Sequence, residues 1–308
     1  MTEITFDLDK IRSDKILSGT LYWHKKSGTT VIGNCGDLVN IDLVEKLHSG
    51  GSVLSLESIA DLDLINKHIT NFEKLRESDD ELSRHIIRKE VISDFSDIFI
   101  NNVKSGSQID WWQICFQTFY DLPEDLENKI AGNSLIIYKR AVAVSSLTVL
   151  MAFSLGYLNY SFLKDLYNSV FITDLELFEE SNFAPHTFRQ LEHGRVLSLD
   201  EGIGGSYVSK SSLIKANLKK VNVENEAIYS MIRYHHENLA TGQGPFKIYE
   251  SEVGDLPSLY TLVQKIYPYT EIKCEKDDAR GVLMSFFKEN KRYIKIKKIF
   301  EAEFKQAA

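Results

Sequence analysis

The hydrophobic pattern of this chain changes character near residue 60. Before it, Lys15 to Trp23 and Thr29 to Gly33 are short runs with β-branched and aromatic residues, and Lys25-Lys26-Ser27-Gly28 between them has hairpin-turn chemistry. Asn34-Cys35-Gly36-Asp37 then breaks the second run. Ile41 to His48 takes helical spacing, with Ile41, Val44, Leu47 and His48 near one face, and Ser49-Gly50-Gly51 stops it. Ser52 to Leu56 returns as a third strand. The pattern predicts a small α/β module over residues 1–60, of a size suited to sensing or docking rather than to chemistry of its own.

Beyond residue 60 the period is helical. Leu82, Ile86, Val91, Ile92, Phe95, Phe99 and Val103 recur at spacings of three to five and predict one apolar stripe on a long helix from Glu81 to Val103. Ser105-Gly106-Ser107 interrupts it, and Ile109 to Tyr120 resumes with Trp111-Trp112, which reads as core or interface. Asp121 to Asn133, with Pro123 near a helix start and Gly132 near its end, marks a boundary or a short helix. Further helices are predicted over Leu135–Leu155, Tyr160–Phe171, Ser211–Val221, Glu224–His236, Leu256–Tyr267, Ala279–Lys288 and Tyr293–Phe304. The fold class is therefore mainly α: a small N-terminal α/β module, a helical connector over 61–133, and an all-α domain over 134–308. Glu179 to Lys210 is the longest stretch without a clear period, and long loops of this kind often bind or cover something.

Composition changes the picture in a few places. A chain of 308 residues favours two domains, and 43% apolar with 26% charged content is ordinary for a folded protein. A net charge of -8 argues against a general nucleic-acid binder, which needs clustered positive surface. The basic run from Lys288 to Lys298 reads as the solvated face of a last helix. Cys35, Cys115 and Cys274 are odd in number and widely spaced, which supports neither a disulfide framework nor a zinc ribbon. The acidic N-terminus has no secretory pattern, so a cytoplasmic location is expected. Ala141 to Leu163 carries no charge and is long enough to span a bilayer. Its serines, threonine and asparagine, with Gly156, predict instead a buried helix with a turn, so no membrane span is expected.

The chemistry-bearing segment is Tyr234-His235-His236-Glu237, followed by Gly242-Gln243-Gly244-Pro245-Phe246. Adjacent imidazoles can serve a metal centre, and a glycine-rich turn lets backbone approach a ligand. In a helical domain this segment resembles the HD-GYP family, metal-dependent phosphodiesterases acting on cyclic di-GMP, whose motif reads roughly HHExxDGxGYP. Here one extra residue separates HHE from the first glycine, Ala240-Thr241 stand where the family has aspartate, and Pro245 stands where the tyrosine would be.

The resemblance extends over about residues 135 to 305 and implies an HD-like helical domain there. Counting from Leu155-Gly156, the family's first histidine falls on Arg140. Its HDxGK box falls on Thr173-Asp174-Leu175-Glu176-Leu177, where Asp174 alone survives. The next metal histidine falls near Ser209-Lys210-Ser211, and the late aspartate near Gln264. Asp174, His235 and His236 remain as candidate metal ligands, fewer than a binuclear centre needs. Glu237, Gly242, Gln243, Gly244 and Pro245 form the candidate ligand or partner loop.

What the resemblance implies is a catalytically degenerate signalling protein of the cyclic di-GMP system, working by protein contacts or by binding a nucleotide it does not cleave. Its partners would be cyclic-dinucleotide signalling proteins such as diguanylate cyclases, with cyclic di-GMP itself as a second ligand, and no cofactor. One alternative is an active phosphodiesterase holding Fe or Mn, in which His186, His193, Glu176, Glu179 or Glu180 completes the ligand set. Another is a structural adaptor with no ligand.

Overall fold

The computed structural model describes residues 3–4, 17, 19–34, 41–58, 62–100, 115–123, 125–126, 135–173, 211–235, 237, 239, 242 and 246–266. Near the N-terminus, strands β1 (Glu3–Ile4), β2 (Gly19–Lys25), β3 (Gly28–Gly33) and β4 (Val53–Ser58) form one antiparallel sheet in the order β1-β4-β2-β3. Helix α1 (Ile41–Ser49) lies between β3 and β4 in sequence. Alternation along β2 and β4 turns Leu21, Leu54 and Leu56 inward, where they pack with Leu17 and with Val44 of α1. On the other face the Tyr22 hydroxyl donates to Glu57 at 2.6 Å, and His24 meets Ser55 and Thr29 at 2.6 and 3.1 Å. The expected ββαβ order is present, and the two-residue β1 is an addition to it.

The described helices that follow are α2 (Leu62–Glu77), α3 (Glu81–Ile100), α4 (Leu135–Ser154), α5 (Tyr160–Phe171), α6 (Ser211–Lys220), α7 (Glu226–Arg233) and α8 (Asp255–Ile266), with a short 3-10 turn at Gln117–Phe119. The chain is mainly α, as the spacing predicts. Ser105-Gly106-Ser107, Trp111-Trp112, the loop from 179 to 210, and the helices expected at Ala279–Lys288 and Tyr293–Phe304 lie outside the described residues.

Helix α4 is the centre of the helical part. Every residue from Arg140 to Ser154 is buried, so the helix is enclosed on all sides. A helix apolar all round must be wrapped by others. Its core takes Phe72 and Leu75 from α2, Ile87, Val91 and Phe95 from α3, Leu166 and Phe171 from α5, and Leu259 and Val263 from α8. The segment expected as a connector thus shares one core with the helices after it. On α3, Val91, Ile92 and Phe95 of the predicted stripe are buried, and the difference lies in the first two turns. Leu82 and Ile86 are 69% and 51% exposed, while Ile87 faces inward, because α2 and α4 meet α3 from the side of Ile87, Val91 and Phe95.

The uncharged run ends as a helix at Ser154. Gly156, at φ +88°, donates to Phe153 O at 2.9 Å, and Tyr157 N–H donates to Ala152 O at 3.0 Å, the paired bonds of a Schellman stop. Arg88 on α3 completes it from across the core, its Nε and Nη2 donating to Phe153 O and Ser154 O at 2.6 and 2.8 Å. A guanidinium suits a helix C-terminus both as a fork of donors and as a positive charge against the dipole. Asn159 then caps α5 by accepting from Phe162 N–H at 2.9 Å. Among the described residues no helix is long and apolar enough to cross a membrane.

One buried amide ties α5 to the chain around the 3-10 turn. Asn168 Nδ2 donates to Phe119 O at 2.9 Å and to Lys164 O at 2.8 Å, and its Oδ1 accepts from Asp121 N–H at 2.9 Å. Asn168→Ala leaves an N–H and a carbonyl without that partner in the interior. It should cost about 2 kcal/mol or more, read as a lower urea midpoint at unchanged m-value.

Candidate functional site

Asn225 starts α7, its side chain accepting from Ala227 and Ile228 N–H at 3.0 and 3.3 Å. The helix turns Ile228, Met231 and Ile232 into the core and ends at Arg233, so Tyr234 and His235 fall on its closing turn. His235 is 6% exposed, and its Nδ1–H donates to Ile232 O. A carbonyl only accepts, so this bond puts a proton on Nδ1, and in the neutral ring the lone pair that could ligate is on Nε2. The ring lies 6.0 Å from that of Tyr260 on α8. His236 and Asp174 lie outside the described residues.

Glu237 looks inward. It is 3% exposed, and its two carboxylate oxygens accept from Phe246 N–H at 2.8 Å and Ile248 N–H at 3.2 Å. Burial pushes its carboxyl pKa up, against the backbone donors that favour the anion. Between the two donors Lys247 sits at φ +54°, a left-handed residue that lets neighbouring N–H groups converge on one anion. The carboxylate therefore acts as the brace of the loop.

Aromatic packing closes the same loop. The Phe246 ring stands edge-on to Tyr234 at 5.6 Å, with the Arg233 guanidinium 4.7 Å over it. Gly242, at φ +67°, lies beneath Tyr249, and a Cβ there would come within 2.5 Å of that ring. The glycine serves this internal contact. Gln243, Gly244 and Pro245 lie outside the described residues. Arg233, Phe246 and Tyr249 carry no motif of their own, and only their positions beside HHE and its glycines mark them in the sequence.

A second part of the site joins α4 and α8, which pack together, as α8 does with α7. Arg140 is 5% exposed, and its Nη2 donates to Gln264 Oε1. Those are the two positions on which counting placed the first histidine and late aspartate of the HD-GYP pattern. Thr173, counted onto the histidine of the HDxGK box, is buried and donates its hydroxyl to Ser169 O at 3.0 Å. Among the described residues no group of three or more His, Cys, Asp or Glu is placed to hold a metal ion. At the two counted positions that meet, a guanidinium offers no lone pair and repels a cation, and the Gln264 oxygen is a neutral donor, so this pair fits Fe or Mn poorly.

No family model, curated protein or solved structure matches this chain.

Glu237→Ala removes both acceptors and leaves the Phe246 and Ile248 N–H groups unpaired. The variant should lose about 2 kcal/mol of stability and become more open to limited proteolysis between residues 242 and 250, mapped by mass spectrometry of the fragments.

Proposed function

We propose that this chain is a catalytically degenerate HD-GYP-like signalling protein that acts in cyclic di-GMP signalling through protein contacts. The observation that carries the reading is the contact between Arg140 and Gln264. Two residues 124 apart in sequence, chosen by counting from separate motifs, meet across α4 and α8. In an HD-like domain the residues at those positions converge on the metal centre. Here they converge as a guanidinium and an amide.

Chemistry by the family's route needs two cations about 3.5–4 Å apart and an activated bridging water. A buried positive charge at one of the ligand positions opposes that arrangement by repulsion in a poorly screening interior. His235, with its Nδ1–H committed to Ile232 O, retains one ligating nitrogen. The braced loop after it offers a shaped surface with Tyr249 38% exposed, suited to contact with a partner such as a diguanylate cyclase domain. Cyclic di-GMP itself is the competing ligand.

The test combines metal analysis, turnover and binding. The purified chain should hold no stoichiometric Fe or Mn and should not hydrolyse cyclic di-GMP. It should capture a diguanylate cyclase domain, and Glu237→Ala should weaken that capture by loosening the loop. Two equivalents of metal, with hydrolysis abolished in His235→Ala, would overturn the reading in favour of a phosphodiesterase. Tight calorimetric binding of cyclic di-GMP without capture of the cyclase domain would replace protein contact with nucleotide binding.

A further inference from the structure

His68 on α2 is wholly buried against α3. Its Nε2–H donates to Asp94 Oδ2 at 3.0 Å, and its ring centre lies 4.7 Å from that of Phe95. That bond leaves Nδ1 as the bare lone pair of a neutral imidazole, and Nδ1 is enclosed without a hydrogen-bond partner. Protonation would turn this atom into a buried N–H donor facing no acceptor. The cost of such a group is set by its full loss of hydration, so the α2–α3 interface tolerates only the neutral ring.

The charges that act on the ring are Asp94 and Glu90 from α3 and Lys67 beside it on α2. Lys67 donates to Asp94 at 2.9 Å and lies 3.7 Å from Glu90, so the carboxylate that would most favour an imidazolium is already shared with a cation. Asn71, one turn on, donates to Glu90 at 2.9 Å. Helix α5 and the 3-10 turn also pack on α2, but their charged groups Lys164 and Asp121 act, with Glu73 and Arg76 of α2, on Tyr160, one to two turns along α2 from His68. Burial outweighs the Asp94 charge and holds the His68 pKa below its ordinary value.

We infer that His68 is an acid-sensitive latch: its protonation releases α2 from α3, the first helix pair after the sheet. The sign follows from linkage. A histidine whose native pKa is depressed binds its proton more readily in the opened state, so the stability it confers is complete above the opened-state value of about 6.5 and is lost as pH falls below it. Glu237 works in the opposite sense. A carboxyl whose pKa is raised weakens the native state as pH rises between its ordinary and raised values.

Hydrogen exchange of the full chain between pH 8 and 5, corrected for intrinsic rates, tests the latch. Opening of residues 62–100 should rise by up to about tenfold per pH unit below about 6.5, while protection in α4 and α5 stays level. His68→Leu should flatten this dependence. Asp94→Asn removes the charge that favours the native imidazolium, so the onset should stay near 6.5 while the rise continues to lower pH before it levels off. The same pH dependence in His68→Leu would overturn the inference. Should that variant fail to fold, nitrogen NMR of the wild-type ring decides: a His68 pKa at or above about 6.5 in the native protein sinks the latch.

Discussion

The structure depends on one helix that has no outer face. From Arg140 to Ser154 every side chain of α4 is buried, so no arrangement of the chain leaves it stable unless other helices surround it. That requirement recruits α2 and α3, which from sequence read as a connector, into the same core as α5 and α8. It also explains why two hydroxyls on α4 turn back to their own helix. Thr148 donates back to Val144 O at 2.7 Å and Ser154 to Met151 O at 2.6 Å, so these hydroxyls need no water in a dry interior.

Local chemistry was the legible part of the fold. Helix α5 could be read to its ends because Asn159 is an N-cap and the apolar period stops after Phe171. The β2–β3 hairpin and α1 could be read because turn residues bound them on both sides. The orientation of α3 could not. A window of sequence offers Leu82 and Ile86 as readily as Ile87, and only the position of α4 decides between them. Arg88, Asn168 and the pair His68–Asp94 were invisible for the same reason. Their partners lie 26 to 66 residues away, and nothing local distinguishes them from surface polar residues.

At the candidate site, counting and chemistry read different things. Counting from Leu155-Gly156 and from the glycine loop brought Arg140 and Gln264 to the pair that touches. Glu237 reads in sequence as the acid beside two imidazoles, yet it is turned away from solvent to brace backbone nine and eleven residues on. Gly242 reads as a ligand glycine, yet its bare Cα accommodates the Tyr249 ring. Both serve the shape of the loop.

Arg88 makes the helix pair unequal. By donating to two successive carbonyls at the end of α4, it ties α3 to the most deeply enclosed element of the molecule. Its planar fork resists both sliding and rotation, where a lysine would resist neither. Of the two helices that meet at His68, α3 therefore carries a polar tie to α4 in addition to its packing. Helix α2 starts four residues after β4 and carries Phe72 and Leu75 into the shared core one to two turns beyond His68, so a loosened contact at His68 is felt at both.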